Sequence, residues 1–445
     1  MRFYHLLWLG LIALSPASFA QTFSTQTVSA QTMSAQTISA QTIADSSHSG
    51  VLSFSTALQL AEQQTPSLTA QTAGVNAARA AAIPAAALPD PKLVIGADNV
   101  PISGPERGNL NSDFMTMERI GVMQDVPNGD QRRARADIAT AAIAKAEAER
   151  NIERLKVRRE TAIAWLNRFY LERQLDVLGE LDQENHLLDS AAKARLSSGK
   201  GMANEVLMPQ LEAVDLADRR DEIQQAITQA TAMLRRWVGE EAMLPLAGDA
   251  PVLSFDPSHL PAQLHRHPEL AAYGPMTDMA AAEVRAAEAE KKSDWGVEFD
   301  YQRRAAPYSD MVSLQFKFDL PVFSGSRQTP RIAAKRHELE RLDADRQSLL
   351  REHAAELDAD LAQYTRLRQQ LSRLQTTRLP LAIQKVDLQM ASYRSGQSDL
   401  ANVLAARREL IETRLRQIEL QSQYAALAAK LTFSYGDAVI AENTK

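Results

Sequence analysis

The sequence predicts a mainly α-helical, tandemly duplicated chain that also carries four β-strands. Three observations support this prediction. The stretch Ala194–Gly239 returns without a gap as Ala391–Gly436, with Gly199 matching Gly396. Each copy contains a very long run that is poor in helix breakers, and each places two strand-like segments before that run. An internal repeat of this length indicates a duplicated architecture.

An export signal occupies residues 1–20. Arg2 supplies its positive end, Leu6–Leu14 its apolar core and Ser18-Phe19-Ala20 a small-residue cleavage site. The core is too short to span a bilayer, so we predict a cleaved signal peptide rather than an anchor. No later stretch offers about 18 consecutive apolar residues. A membrane-crossing part of the mature chain would therefore consist of strands closed into a barrel.

The composition excludes several classes of function. The formal net charge is −6, which gives no reason to expect nucleic-acid binding, and the chain has no cysteine for disulfides. Nucleotide loops and hydrolase motifs are missing, so we predict neither an enzyme nor a cofactor. His265 and His267 form the one close histidine pair, and without a recognised third ligand we predict no metal site.

The domain boundaries follow from the repeat. After the signal peptide we expect a low-complexity, disordered tail over 21–52, built from QTxSA units. The first repeat covers 53–240 and a linker covers 241–260. The second repeat covers 261–436, and a C-terminal tail covers 437–445.

Strand-like segments occur in pairs within each repeat. They are Lys92–Ala97, Met115–Val126, Trp295–Tyr301 and Met311–Phe323. In the last segment the apolar residues Val312, Leu314, Phe316 and Phe318 alternate with polar ones, which predicts one apolar and one polar face. For a strand in a membrane barrel, we predict that these apolar residues face lipid and that Gln315 and Lys317 face the lumen. Four strands are too few to close a membrane barrel, which needs about eight. The strands therefore form a soluble sheet, or several chains each contribute four.

Long helices follow the strands. The first is predicted over Gln131–Ser198, a length of roughly 100 Å at 1.5 Å per residue. The second is predicted over Arg331–Ser395, with a break at Pro380. Apolar residues spaced by four and three, such as Leu350 and Leu357, are typical of a coiled-coil seam.

These features together resemble the TolC-type outer-membrane efflux channels. The resemblance covers about residues 54–436, and Tyr393–Gly396 followed by Leu400 and Val403 is similar to the helix-tip signature of that family. The segments Leu88–Leu93 and Gln124–Pro127 are more similar to its heavy-metal branch, which serves cobalt-zinc-cadmium or copper-silver pumps.

The resemblance implies a homotrimer in the outer membrane of a Gram-negative bacterium. Each protomer would give four strands to one twelve-stranded barrel in outer-membrane lipid, above a long periplasmic α-helical coiled-coil barrel. The partners would be a periplasmic adaptor and an inner-membrane proton-driven pump, and the channel would passively conduct heavy-metal cations. A drug or organic-compound channel of the same fold is an alternative. An exported coiled-coil structural protein is a weaker one, because it would not explain the duplicated hairpins.

The resemblance also implies which residues form the functional ends of the helices. Family members narrow at positions about six and nine past the tip glycine, which are Glu205 and Met208 in the first repeat and include Asn402 in the second. Asp399 is a further pore candidate, although aspartate there is also a good helix N-cap. The expected adaptor contacts are Gly199, Lys200, Asn204, Arg394, Gly396 and Gln397.

Overall fold

The structure is a computed structural model, and it describes residues 50–435 except 112, 200, 254 and 307. The predicted signal peptide, most of the low-complexity tail and the C-terminal tail lie outside the described residues, as does Lys200.

The first repeat opens with a short strand and two helices. Strand β1 (Leu52–Ser53) leads into α1 (Phe54–Gln64), and α2 (Pro66–Ala82) follows. The Ser53 hydroxyl accepts a hydrogen bond from the Thr56 amide at 3.1 Å and so caps α1. Pro66 occupies the first position of α2, where its missing N–H costs no helix hydrogen bond.

Four strands form one antiparallel sheet. They are β2 (Lys92–Asp98), β3 (Met117–Val126), β5 (Trp295–Arg304) and β6 (Met311–Phe318). Their spatial order is β2-β3-β5-β6, so the two hairpins meet through β3 and β5. The last strand ends earlier than predicted: Pro321 lies in the segment expected to continue it, and proline cannot donate a ladder hydrogen bond.

The long helix of the first repeat is α3 (Gly129–Ser197), which contains 69 residues and spans roughly 100 Å. The Asn128 side chain caps it by accepting from the Gln131 amide at 2.9 Å. Helix α4 (Ala203–Val238) returns along α3 from the tip.

The connection between the repeats is built from short elements. A 3₁₀ turn over Gly239–Met243 leads to β4 (Leu246–Ala247), and α5 (Leu260–Gln263) and α6 (Pro268–Ala271) follow. Strand β4 pairs in parallel with β1, which ties the connection between the repeats to the beginning of the first repeat.

The second repeat then follows the plan of the first. Helix α7 (Tyr273–Ala289) precedes β5, and α8 (Gln328–Arg373) follows β6. A π-helical turn over Leu374–Arg378 separates α8 from α9 (Leu379–Arg394), at the break predicted from Pro380. Proline has no N–H to donate, and a π-helical turn lets the helix change its hydrogen-bond register near that position. Helix α10 (Leu400–Tyr435) returns from the second tip.

The largest hydrophobic core lies where the short helices pack on the middle of the long ones. Trp165 of α3 is fully buried at its centre, and its indole N–H donates to the Leu52 carbonyl at 3.2 Å. The rings of Phe54 and Phe169 lie 5.4 and 5.2 Å from the Trp165 ring. The predicted seam residue Leu357 is buried in the same core.

Within the described residues, no helix combines the length and the apolar character needed to cross a membrane.

Candidate functional site

One face of the four-stranded sheet is a continuous apolar surface. Its exposed side chains alternate along each strand and align between neighbours, as Leu314 does with Phe299 and Phe299 with Val122. Further members are Leu93, Ile95, Ile120, Tyr301, Val312, Phe316 and Phe318. Val312, Leu314, Phe316 and Phe318, which we predicted to face lipid, are each about 60% exposed. Exposed apolar area of this extent marks an interaction surface.

The opposite face of the sheet is charged. The Arg119 guanidinium lies 3.6 Å from carboxylate oxygens of Asp98 and Glu298, and 4.0 Å from Asp300. Lys317 donates to Glu298 from the neighbouring strand. Lys317, which we predicted to face the lumen of a barrel, thus lies on the charged face beside these carboxylates.

A glycine makes room for one of these carboxylates. Gly121 on β3 lies opposite Asp300 on β5, and a Cβ at Gly121 would overlap the Asp300 carboxylate and lie 2.7 Å from the Phe299 carbonyl oxygen. The close approach of Asp300 to the β3 backbone therefore requires glycine at this position.

Each pair of long helices ends in a tight glycine tip. Gly199 and Gly396 have φ of +73° and +74°, the left-handed conformation that favours glycine. In the second tip the Gly396 amide donates to the Tyr393 carbonyl at 3.0 Å, and the Gln397 amide donates to the Ser392 carbonyl at 2.9 Å. This pair of hydrogen bonds is a Schellman motif, which ends the helix and turns the chain.

Glu205 lies in the first turn of α4 and is 9% exposed. Its carboxylate is 3.9 Å from the Arg195 Nε of α3. The Arg195 guanidinium in turn lies 4.6 Å from the centre of the Tyr393 ring in the other repeat. In this conformation the predicted pore carboxylate is therefore held inside the tip rather than presented to open solvent.

The other predicted pore residues lie at the surface of the tips. Asp399 is exposed and directly precedes α10, at the N-cap position considered as its alternative role. Asn402 is exposed and donates to the Ser398 hydroxyl at 3.2 Å, and Met208 is half-buried. The predicted adaptor contacts that the structure describes are all exposed. They are Gly199, Asn204, Arg394, Gly396 and Gln397.

The two tips pack against each other. An apolar cluster joins Leu188 and Ala192 of α3 to Tyr393, Leu400 and Val403 of the second repeat. Ion pairs continue this contact further along the helices, between Arg407 and Glu184 at 2.9 Å and between Arg408 and Asp215 at 3.2 Å.

Sequence reasoning missed Arg195, which contacts both Glu205 and Tyr393. The alignment of the two repeats could have drawn attention to this residue. Arg195 aligns with Ser392, so the first tip carries a positive charge at a position where the second tip has none.

The sheet, the long helices and their tips together indicate the class of protein. A small sheet with an apolar outer face, joined to paired helices of roughly 100 Å that end in glycine tips, has the form of one protomer of an outer-membrane channel.

Comparisons with known proteins give a family match for part of the chain. Residues 260–437, which form the second repeat, match the family model described as outer membrane efflux protein. The fold is that of the TolC-type outer-membrane channels. No curated protein sequence matches the chain.

Solved structures of channels share the fold over most of the chain. CusC superposes with a TM-score of 0.73 at 16% identity, over 86% of this chain and 92% of CusC. VceC of Vibrio cholerae has a TM-score of 0.69 at 18% identity, over 86% and 96% of the two chains. The open state of MtrE from Neisseria gonorrhoeae has a TM-score of 0.69 at 14% identity, over 86% and 88%.

The structural comparisons confirm the predicted fold class, which is that of an outer-membrane barrel joined to a helical barrel.

Proposed function

We propose that this chain is the outer-membrane conduit of a tripartite efflux system and that it passively conducts heavy-metal cations. The observation that carries the proposal is the four-stranded sheet with its exposed apolar face. Its two outer strands, β2 and β6, each have one neighbouring strand among those that the structure describes, so each leaves one edge unpaired. Exposed strand edges are templates for pairing with another chain. Three protomers joined β6 to β2 would close a twelve-stranded barrel with its apolar face toward lipid.

The helices provide the periplasmic part of this conduit. Each protomer contributes two helical hairpins that end at Gly199 and Gly396, and the exposed residues around these tips are suited to contact an adaptor. Nothing in this arrangement performs chemistry, so the energy for transport would come from an inner-membrane proton-driven pump.

The heavy-metal assignment is supported by two sequence segments that also meet in space. Gln124 in the segment Gln124–Pro127 donates to the Pro89 carbonyl of Leu88–Leu93 at 2.8 Å. These segments carry the resemblance to the heavy-metal branch, and they lie at the junction between the sheet and the helices.

The gate is proposed to lie at the tips. Glu205 would set cation preference when the start of α4 separates from Arg195, with Asn402 and Met208 nearby. Three copies of Glu205 converging on the trimer axis would attract cations and repel one another. Asp399 is the alternative source of negative charge in the second tip.

A deletion strain tests the transported substrate. We expect its growth to be inhibited by lower concentrations of at least one of cobalt, zinc, cadmium, copper or silver, and a plasmid copy of the wild-type gene to restore tolerance. Sensitivity to organic drugs alone would replace the heavy-metal assignment with the drug-channel alternative. Unchanged tolerance to both panels would contradict the role as a conduit.

A further inference from the structure

Three potential metal ligands meet far from the sheet and the tips. His267 immediately precedes α6, Glu269 lies within α6, and His353 lies in the middle of α8. Their ligand atoms all lie within 4.8 Å of one another, and within the described residues this is the one group of three or more such side chains. The His353 Nε2 and a Glu269 carboxylate oxygen are 3.0 Å apart.

Both histidines are buried and incompletely hydrogen-bonded. His267 is 8% exposed and His353 is 7% exposed, and the Nδ1 atom of each has no hydrogen-bond partner among the described residues. A buried polar atom without a partner destabilises the fold. The unpartnered nitrogen of His267 therefore indicates that a group other than the described side chains satisfies it.

The two imidazoles lie close together in a form that can bind a cation. Their ring centres are 4.0 Å apart. A neutral imidazole keeps a nitrogen lone pair for a metal, whereas an imidazolium ion does not.

We propose that His267, Glu269 and His353 bind one divalent transition-metal ion, with Zn²⁺ as the best-fitting ion. Two imidazole nitrogens and a carboxylate oxygen form a ligand set that suits zinc and disfavours calcium or magnesium, which prefer oxygen alone. In a tetrahedral site with bonds of about 2.0 Å, ligand atoms are roughly 3.3 Å apart. Small side-chain rotations would bring the present separations to that value.

A water molecule would supply the fourth ligand. Glu356 lies one turn further along α8, and its carboxylate oxygen is 3.8 Å from the His353 Nδ1, the ring nitrogen that does not face Glu269. With the ion bound at the other nitrogen, Glu356 would accept a hydrogen bond from Nδ1 and orient the ring. Glu356 also pairs with Lys430 of α10 at 2.8 Å, so this support extends to the last helix.

The site would fasten the beginning of the second repeat to its long helix. Helix α6 has only four residues, of which Leu270 is buried in the main core, whereas α8 has 46 residues. A bound ion would cross-link these two elements and stabilise the folded chain in proportion to its occupancy. This resident site goes beyond the proposed conduction of ions through the pore, and its existence does not depend on which substrate is transported.

The experiment uses the full-length protein, purified in detergent without a histidine tag and treated with EDTA. Calorimetric titration with Zn²⁺ should show one tight site per protomer, and bound zinc measured after desalting should agree. We expect His267→Gln and His353→Gln each to weaken binding at least tenfold. His337→Gln is the matched control, because His337 is exposed on the same helix. Its Nδ1 lies 2.8 Å from a carboxylate oxygen of Glu340, which is not one of the proposed ligands. This variant should bind zinc as the wild type does.

A spectroscopic measurement protects the test against misfolded variants. Co²⁺ added to the wild-type protein should give the intense visible absorption of a four-coordinate site with nitrogen ligands, and Zn²⁺ should displace it. Weak absorption typical of six oxygen ligands, or equal zinc binding by the wild type and a folded His353→Gln, would overturn the proposal.

Discussion

The guanidinium carbon of Arg195 lies 4.6 Å from the centre of the Tyr393 ring, so a cation–π contact joins the tip of the first repeat to that of the second. Arg195 also approaches Glu205 at 3.9 Å. The residue proposed to select cations is therefore held next to a positive charge as long as the start of α4 stays against α3.

The first prediction concerns ion selectivity at the tips. Glu205→Gln should lower cation selectivity and weaken block by divalent or trivalent cations, because it removes three carboxylates from the proposed constriction. The measurement is single-channel recording of the purified protein in a planar bilayer. If Glu205→Gln changes neither property while Asp399→Asn changes both, the constriction lies at the second tip.

The second prediction concerns the lipid face of the sheet. Phe316→Arg should reduce the yield of assembled trimer much more than Gln315→Arg. An arginine facing lipid near the bilayer centre costs about 2–4 kcal/mol, whereas position 315 lies opposite Glu298 on the charged face. Trimer is measured as the heat-modifiable band in outer-membrane fractions. Equal yields would reject the assigned orientation of the strand.

The third prediction concerns the close contact between β3 and β5. Gly121→Ala should destabilise the sheet by about 1–3 kcal/mol, because the new methyl group would overlap Asp300 and crowd the Phe299 carbonyl. The measurement is the temperature at which the assembled protein dissociates on gels. Gly96→Ala is the control on the neighbouring strand, where no described atom lies within 4 Å of the added Cβ. The same loss in both variants would contradict the role given to Gly121.

The fourth prediction concerns the core around Trp165. Trp165→Ala should destabilise the protein by about 3–5 kcal/mol, because it empties a fully buried site. Trp165→Phe should cost less, since it keeps an aromatic ring and loses only the hydrogen bond to Leu52 and part of the volume. Thermal unfolding measures both, and Leu187→Ala, at an exposed position of the same helix, should be nearly neutral. If Leu187→Ala destabilised the protein as much as Trp165→Ala, the assignment of Trp165 to the centre of the core would be wrong.

Local sequence patterns were enough to predict the architecture of the protein. The duplication, the helical runs, the alternating strands and the glycine tips all depend on local patterns, because periodicity and backbone conformation are properties of neighbouring residues. The strand Trp295–Arg304 and the helix Gly129–Ser197 accordingly lie close to their predicted bounds. The resemblance to the outer-membrane channels rested on the same local motifs.

The contacts between distant side chains could be read from the folded chain alone. The pairing of β3 with β5 places Asp300 against Gly121, and the packing of α6 on α8 places His267 against His353. Such contacts depend on the order of strands and on the rotation of each helix about its axis, and a local pattern specifies neither. For the same physical reason, the sequence identified Glu205 as a tip residue but did not reveal that Arg195 holds its carboxylate inside the tip.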